Sequence, residues 1–178
     1  ISLCIMRFMQ QEPTPNTKSN PDDEKRRFIL QIVQPGLAGL MDGTVSSLAP
    51  LFAAALATQD SKTAFLVGLA TALGAGISMA FSEALSDDGK ISGRGSPWMR
   101  GIVEGVMTFL GAIGHALPFL ISDFRTAFIV ASIVVGIELV AIAYIRNKYM
   151  DTPFLRAAFQ IIVGGAIVLA VGIFIGKS

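Results

Sequence analysis

Apolar and polar positions divide the chain into a mixed opening segment and five long apolar runs joined by short charged hinges. Runs of about 20 apolar residues cross a ~30 Å hydrocarbon core as helices. They predict spans at 29–58, 63–85, 101–121, 124–145 and 153–176. The opening stretch ISLCIMRFMQQEPTPNTKSNPDDEKRR combines prolines, asparagines and mixed charge without a sustained helical period. That predicts a flexible cytoplasmic tail or linker over 1–27 and a five-helix transmembrane domain over 28–178. No charged n-region precedes a clean apolar run there and no small-residue cleavage site follows, so the opening is not a signal peptide. It starts on Ile rather than Met, which leaves room for an upstream domain.

Small residues recur at helical spacing within the spans, as they do where membrane helices approach closely. Gly74, Ser78 and Ser82 mark the second span, Gly101 and Gly105 the third, and Gly172 and Gly176 the fifth. Gly39 and Gly43 flank Asp42 in the first, where the expected partner includes the same helix of a second copy. Pro35 and Pro50 loosen that helix's hydrogen bonding and expose carbonyl oxygens.

The composition, 52% hydrophobic and 15% charged, sets the chain apart from soluble domains and agrees with an all-α membrane protein. Charge adds the orientation. Arg7, Lys18, Lys25, Arg26, Arg27, Lys90, Arg94, Arg100, Arg146, Lys148 and Arg156 fall on one side, and only Lys62, Arg125 and Lys177 on the other. An excess of Lys and Arg marks cytoplasmic loops, so the N-terminus is expected inside and the C-terminus outside. The net charge of +1 and the absence of a basic cluster with interleaved aromatics point away from nucleic acid. A single cysteine, Cys4, excludes an intramolecular disulfide and a multi-cysteine metal site.

Against this background the ionisable residues inside the spans stand out: Asp42, Glu83, Glu104, His115 and Glu138. A carboxylate deep in lipid costs about 3 kcal/mol on insertion scales, so such groups face a bundle interior or a wet cavity. Met79 and Glu83 are four apart, and Glu104, Thr108, Gly111 and His115 step by four, three and four, so each set lies on one helix face. Glu104 and His115 are separated by about 16 Å along the axis, too far to hold one ion together. A thioether beside carboxylates suits a divalent first-row metal better than an alkali ion, and buried carboxylates also exchange protons. These six residues, Asp42, Met79, Glu83, Glu104, His115 and Glu138, are the candidate metal site. Other readings stand beside it. Met79 fits apolar filler, Glu83 and Glu104 lie near enough to the span ends to snorkel, and His115, with Pro118 following, fits a hydrogen-bonder at a kink. Asp42 and Glu138 sit too deep for those readings.

"GLMDG" at 39–43, "AGISMAFSEAL" at 75–85 and "LRAAFQIIVGGAIVLAVGIFIG" at 155–176 resemble the vacuolar iron transporter family. "RRFILQIVQPGLAGLMDGTVSSLAPLFAAALAT", "ALSDDGKISGRGSPWMRG" and "YMDTPFLRAAFQ" are similar to the membrane half of the bacterial membrane-bound ferritins, which join a ferritin-like di-iron domain to such a transporter. The resemblance covers residues 26–178. It implies a homodimer with the ion path at the subunit interface, exporting Fe²⁺ and also Mn²⁺ in exchange for protons, without a prosthetic group. It also implies the bacterial inner membrane. By motif match Asp42 takes the place of the first-span pore aspartate, Met79 that of the second-span pore methionine, and Glu83 that of the acid in the "GEY"-like element of microbial members. Thr71 stands where plant relatives carry a further acid, a role the resemblance leaves to Glu104 or Glu138. The long glutamate-rich helices between the second and third spans are replaced by "SDDGKISGRGSPWMR", and no Glu-x-x-His pair forms a di-iron site. Either a ferritin-like domain lies upstream or in trans, or the chain is a stand-alone pore.

Two further classes remain at this point. One is a non-conducting anchor and oligomerisation module for a ferritin-like domain. The other, an intramembrane enzyme, has no H-E-x-x-H or serine-nucleophile motif behind it.

Overall fold

A computed structural model describes residues 21–89, 92–150 and 153–178. Cys4 and most of the predicted tail lie outside them. The described part is built from five long helices: α1 (Pro21–Thr58), α2 (Ser61–Ser86), α3 (Pro97–Gly114), α4 (Phe124–Met150) and α5 (Phe154–Lys177).

The segment 21–27 departs from the sequence expectation, since Pro21–Phe28 is helical and runs on into the first span. Asp22, Asp23 and Glu24 occupy its first turn and Lys25, Arg26 and Arg27 its last, the charge order that a helix dipole favours. Extending a helix that is already nucleated adds one hydrogen bond per residue fixed, which composition alone does not register. Ile29–Val33 forms a π-helical turn in which the Gln34 amide reaches back to the Ile29 carbonyl. The widened turn sits just before Pro35, a residue with no amide hydrogen to donate.

Local chemistry sets the other ends. Gln59 adopts a left-handed conformation with φ of 50°, and its amide closes α1 on the Ala55 carbonyl at 2.9 Å. Asp60 caps α2 by accepting the Thr63 amide at 2.7 Å. Ser96 and Pro97 start α3. At its far end, Pro118 falls in a 3₁₀ turn, Leu117–Leu120, so the third predicted span is a shorter helix plus this turn.

Four of the five helices, α1, α2, α4 and α5, are long and apolar enough to cross a membrane. The exception is α3, and its packing explains why. Arg100, Glu104 and Thr108 lower its hydropathy, yet all three are buried against other helices. The exposed side of α3 carries Ile102, Val106 and Leu110 instead.

Close approach of backbones puts α1 and α2 on either side of α3. A side chain added at Gly39 would strike the Glu104 carbonyl, and one at Gly43 the Thr108 carbonyl. On the other side, Gly76 faces Gly105, and Gly101 faces Ala80 and Ala84. Gly172 and Gly176 lay α5 on Ala49 and Ala53 of α1. Two expectations change here. The partner of the Gly39–Gly43 face is α3 of the same chain, and the stripe Gly74, Ser78, Ser82 is exposed, with nothing within 4 Å of Gly74. Leu48, Leu51 and Phe52 of α1 complete the core with Phe119 and with Ala127 and Ala131 of α4.

Gly43→Ala is therefore expected to destabilise the fold by about 3 kcal/mol, because the added methyl meets rigid backbone on α3. Thermal unfolding of the purified chain in detergent reads the loss, and an unchanged midpoint contradicts the contact.

Candidate functional site

The six candidate residues separate into three polar groups at different depths. The first lies at the end of the bundle that carries the α2–α3 loop. Glu83 Oε1 accepts from Arg100 Nε at 2.6 Å and pairs with Arg94 Nη2 at 2.9 Å. Arg100, fully buried, also donates from Nη1 to the Gly95 carbonyl and from Nη2 to Asp87, at its carbonyl and at Oδ2. Asp87 in turn accepts the Ser92 hydroxyl at 2.5 Å and the Gly89 amide at 2.8 Å. The glycines fit the turns: Gly89 and Gly95 both have φ of 77°, and any side chain at Gly95 would run into Gln31 of the π-helical turn. One guanidinium thus stitches the end of α2 to the start of α3 and to the loop between them.

This clasp has a pH dependence. The Ser92 hydroxyl, then the Gly89 amide and the charges of Arg100 and Arg94, hold the Asp87 carboxyl below its ordinary value of 3.8. A depressed carboxylate stabilises the fold above its ordinary value, and that contribution disappears as pH falls through the lower folded value. The protection of the Gly89 amide, its exchange rate relative to an unstructured peptide at the same pH, is expected to fall only below about pH 3.8 in the wild type, and to be low already at neutral pH in Asp87→Ala. Equal protection in both proteins contradicts the clasp.

The second group lies deeper, where α1, α2 and α3 meet. The Gly39 contact puts α1 level with Glu104, and Asp42 follows three residues, about 4.5 Å, farther along the axis. Ala80 packs on Gly101 and Gly105, which brings the neighbouring Met79 to the level of Glu104. Glu104 is buried, while Asp42 and Met79 are half-buried. Among the described residues neither Asp42 nor Glu104 has a hydrogen bond or ion pair to its side chain. Two unpaired carboxylates this deep are costly unless a cation or proton joins them.

The third group joins α3 to α1 and α4. His115, fully buried just beyond α3, places Nδ1 2.8 Å from Glu138 Oε2 and Nε2 2.9 Å from Ser47 Oγ. A carboxylate on Nδ1 and a hydroxyl on Nε2 engage both ring nitrogens within the bundle. Neither ring nitrogen is then open to a metal ion. His115 is the hydrogen-bonder at the Pro118 bend, and Glu138 is its partner.

The candidate residues therefore do not form one ligand cluster. Among the described residues no three His, Cys, Asp or Glu side chains are grouped to hold an ion. Asp42, Glu104 and Met79 come to adjoining levels from three helices, Glu83 is engaged by two arginines, and His115 with Glu138 forms a separate pair. Three contributors escaped the sequence reading: Arg100, Arg94 and Ser47. The stripe through Glu104 and Thr108 extends back one step of four to Arg100, a signal that was present. Ser47 likewise lies one step of four beyond Gly43.

Comparison with known proteins adds one finding. Residues 87–177, running from the α2–α3 loop to the end of α5, match the model of the VIT family. No curated protein and no solved structure matches the chain.

Proposed function

Because the chain belongs to the VIT family, a family of membrane metal-ion transporters and not enzymes, we propose that it exports divalent iron from the cytoplasm, with manganese as a second cargo, in exchange for protons. The observation that carries this reading is a pair of carboxylates, Asp42 and Glu104, that have no hydrogen bond or ion pair among the described residues and lie at adjoining depths beside the Met79 thioether. Oxygen and sulfur donors together suit Fe²⁺ and Mn²⁺, and the remaining coordination positions fall to water, to carbonyls loosened by Pro50, and to a second copy.

A homodimer supports the path in the same way. Asp42 is only half-buried in one chain, and the exposed Gly74, Ser78 and Ser82 leave a small-residue face on α2 that admits a close neighbour. The working protein on this reading sits in the bacterial inner membrane with its α2–α3 loop in the cytoplasm. The loop is too short to collect metal itself, so a ferritin-like domain, upstream or in trans, would deliver iron to it.

Everted membrane vesicles test the reading. With an acidic lumen, radioactive Fe²⁺ is expected to accumulate inside and to stop accumulating when a protonophore collapses the gradient. Vesicles that contain the chain and take up no more iron than empty ones would favour the anchor reading instead.

A further inference from the structure

Between α1, α3 and α4 lies a cleft of about 340 Å³. It exists because α3 packs closely on α1 and α2 but barely meets α4. Its walls include Ile32, Gly36 and Leu40 of α1, Met107 of α3, and Ile145 and Tyr149 of α4, and the Tyr149 phenol is the one polar side chain in its lining. α1 and α4 run in opposite directions, so Ile32 and Tyr149 mark the mouth, at the end of the bundle that carries the α2–α3 loop. Leu40 lies about 12 Å deeper along α1.

The mouth is basic. Arg146 follows Ile145 and is half-buried, and Lys148 precedes Tyr149 with its Nζ 5.6 Å from the centre of that ring. Lys25, Arg26 and Arg27 stand on α1 just before its π-helical turn. None of these five side chains has a hydrogen bond or ion pair among the described residues, whereas Arg94 and Arg100 at the same end are held by Glu83 and Asp87. Asp22, Asp23 and Glu24 lie at the outer start of α1, and Asp151 falls outside the described residues. A half-buried guanidinium with nothing to pair is costly until an anion reaches it. Basic residues kept only to orient a membrane protein need no apolar cleft beside them.

We propose that this cleft holds an acyl chain of an anionic phospholipid whose phosphate is gripped at the mouth by Arg146 and Lys148. Basic pockets between membrane helices take acidic head groups in this way. A free phosphate would leave the apolar cleft unfilled, and a zwitterionic lipid carries no net charge to offset the two cations. The lipid would bridge α4 to α1 and α3 where protein contact is thinnest. The inference holds whether or not the chain carries metal.

Native mass spectrometry of the purified full chain in detergent, titrated with dioleoylphosphatidylglycerol or dioleoylphosphatidylcholine, tests it. The wild type is expected to bind the anionic lipid about tenfold more tightly than the zwitterionic one. Arg146→Gln and Lys148→Gln are each expected to weaken the anionic lipid about fivefold, and the double variant to lose the preference. Met107→Trp, which fills the cleft and keeps both charges, is expected to weaken both lipids, and size-exclusion profiles establish that each variant is folded. Equal affinity of the wild type for the two lipids, or a preference that survives in the double variant, overturns the head-group grip. Unchanged binding by folded Met107→Trp overturns the cleft as the seat of the chain. Displacement of the lipid by inorganic phosphate at the same concentration overturns the lipid as the occupant.

Discussion

Asp42→Ala is expected to lower metal transport at least thirtyfold without unfolding the protein. The Asp42 side chain makes no hydrogen bond or ion pair among the described residues, so its removal breaks no contact that holds α1 to α3. The glycines on either side of it, Gly39 and Gly43, supply that contact through backbone. On the transport reading, what is lost is one of two charged ligands. An interaction with a charged group is worth about 2 kcal/mol, which corresponds to roughly thirtyfold in affinity. Asp42→Asn separates charge from shape, since it keeps the volume and an oxygen donor but not the negative charge. Both variants are expected to keep a wild-type unfolding midpoint or a higher one, because a half-buried carboxylate within an apolar helix, costly to hold charged, has been removed. Uptake in everted vesicles and thermal unfolding, measured on the same preparations, check the two halves of this expectation. Transport retained by Asp42→Asn would mean that charge is not what the aspartate contributes.

Arg100→Leu is expected to have the largest effect on stability. Its guanidinium is fully buried and uses all three nitrogens across four acceptors on Glu83, Gly95 and Asp87. Taking one partner out of a buried ion network leaves the others uncompensated and costs about 3–5 kcal/mol. Here the orphaned groups would be the Gly95 and Asp87 carbonyls and part of the Glu83 charge. Arg100→Lys is expected to recover little, because a single ammonium on a flexible stem cannot reproduce a planar fork reaching three residues. Unfolding midpoints in detergent decide the matter, and a lysine variant as stable as the wild type would show that the fork does not hold the loop.

Periodicity revealed the faces of the helices but not which protein surface each face meets. The step from Glu104 to Thr108 to Gly111 was readable, and all three are buried. In α2 two small-residue stripes run four residues apart, Gly76–Ala80–Ala84 and Gly74–Ser78–Ser82, and only the first packs within the chain. Lipid and protein interior are equally apolar, so hydropathy does not separate the two. Long-range pairing was hidden for another reason. His115, just beyond α3, and Glu138 of α4 lie 23 residues apart, and no local period brings Ser47 to them. The family match covers the α2–α3 loop and the last three helices, so it bears on neither Asp42 nor Met79, both of which lie before residue 87. Their role rests on the sequence motifs and on the placement of α1 and α2 against α3.

The central claim is that this chain moves a divalent metal through the Asp42–Glu104 level against a flow of protons. Purified protein in proteoliposomes with an imposed pH gradient, supplied with radioactive Fe²⁺, tests it most directly when Asp42→Ala is measured alongside. The account predicts saturable uptake that follows the gradient and is lost in the variant. Iron uptake that is equal in both proteins, or that ignores the gradient, would contradict it.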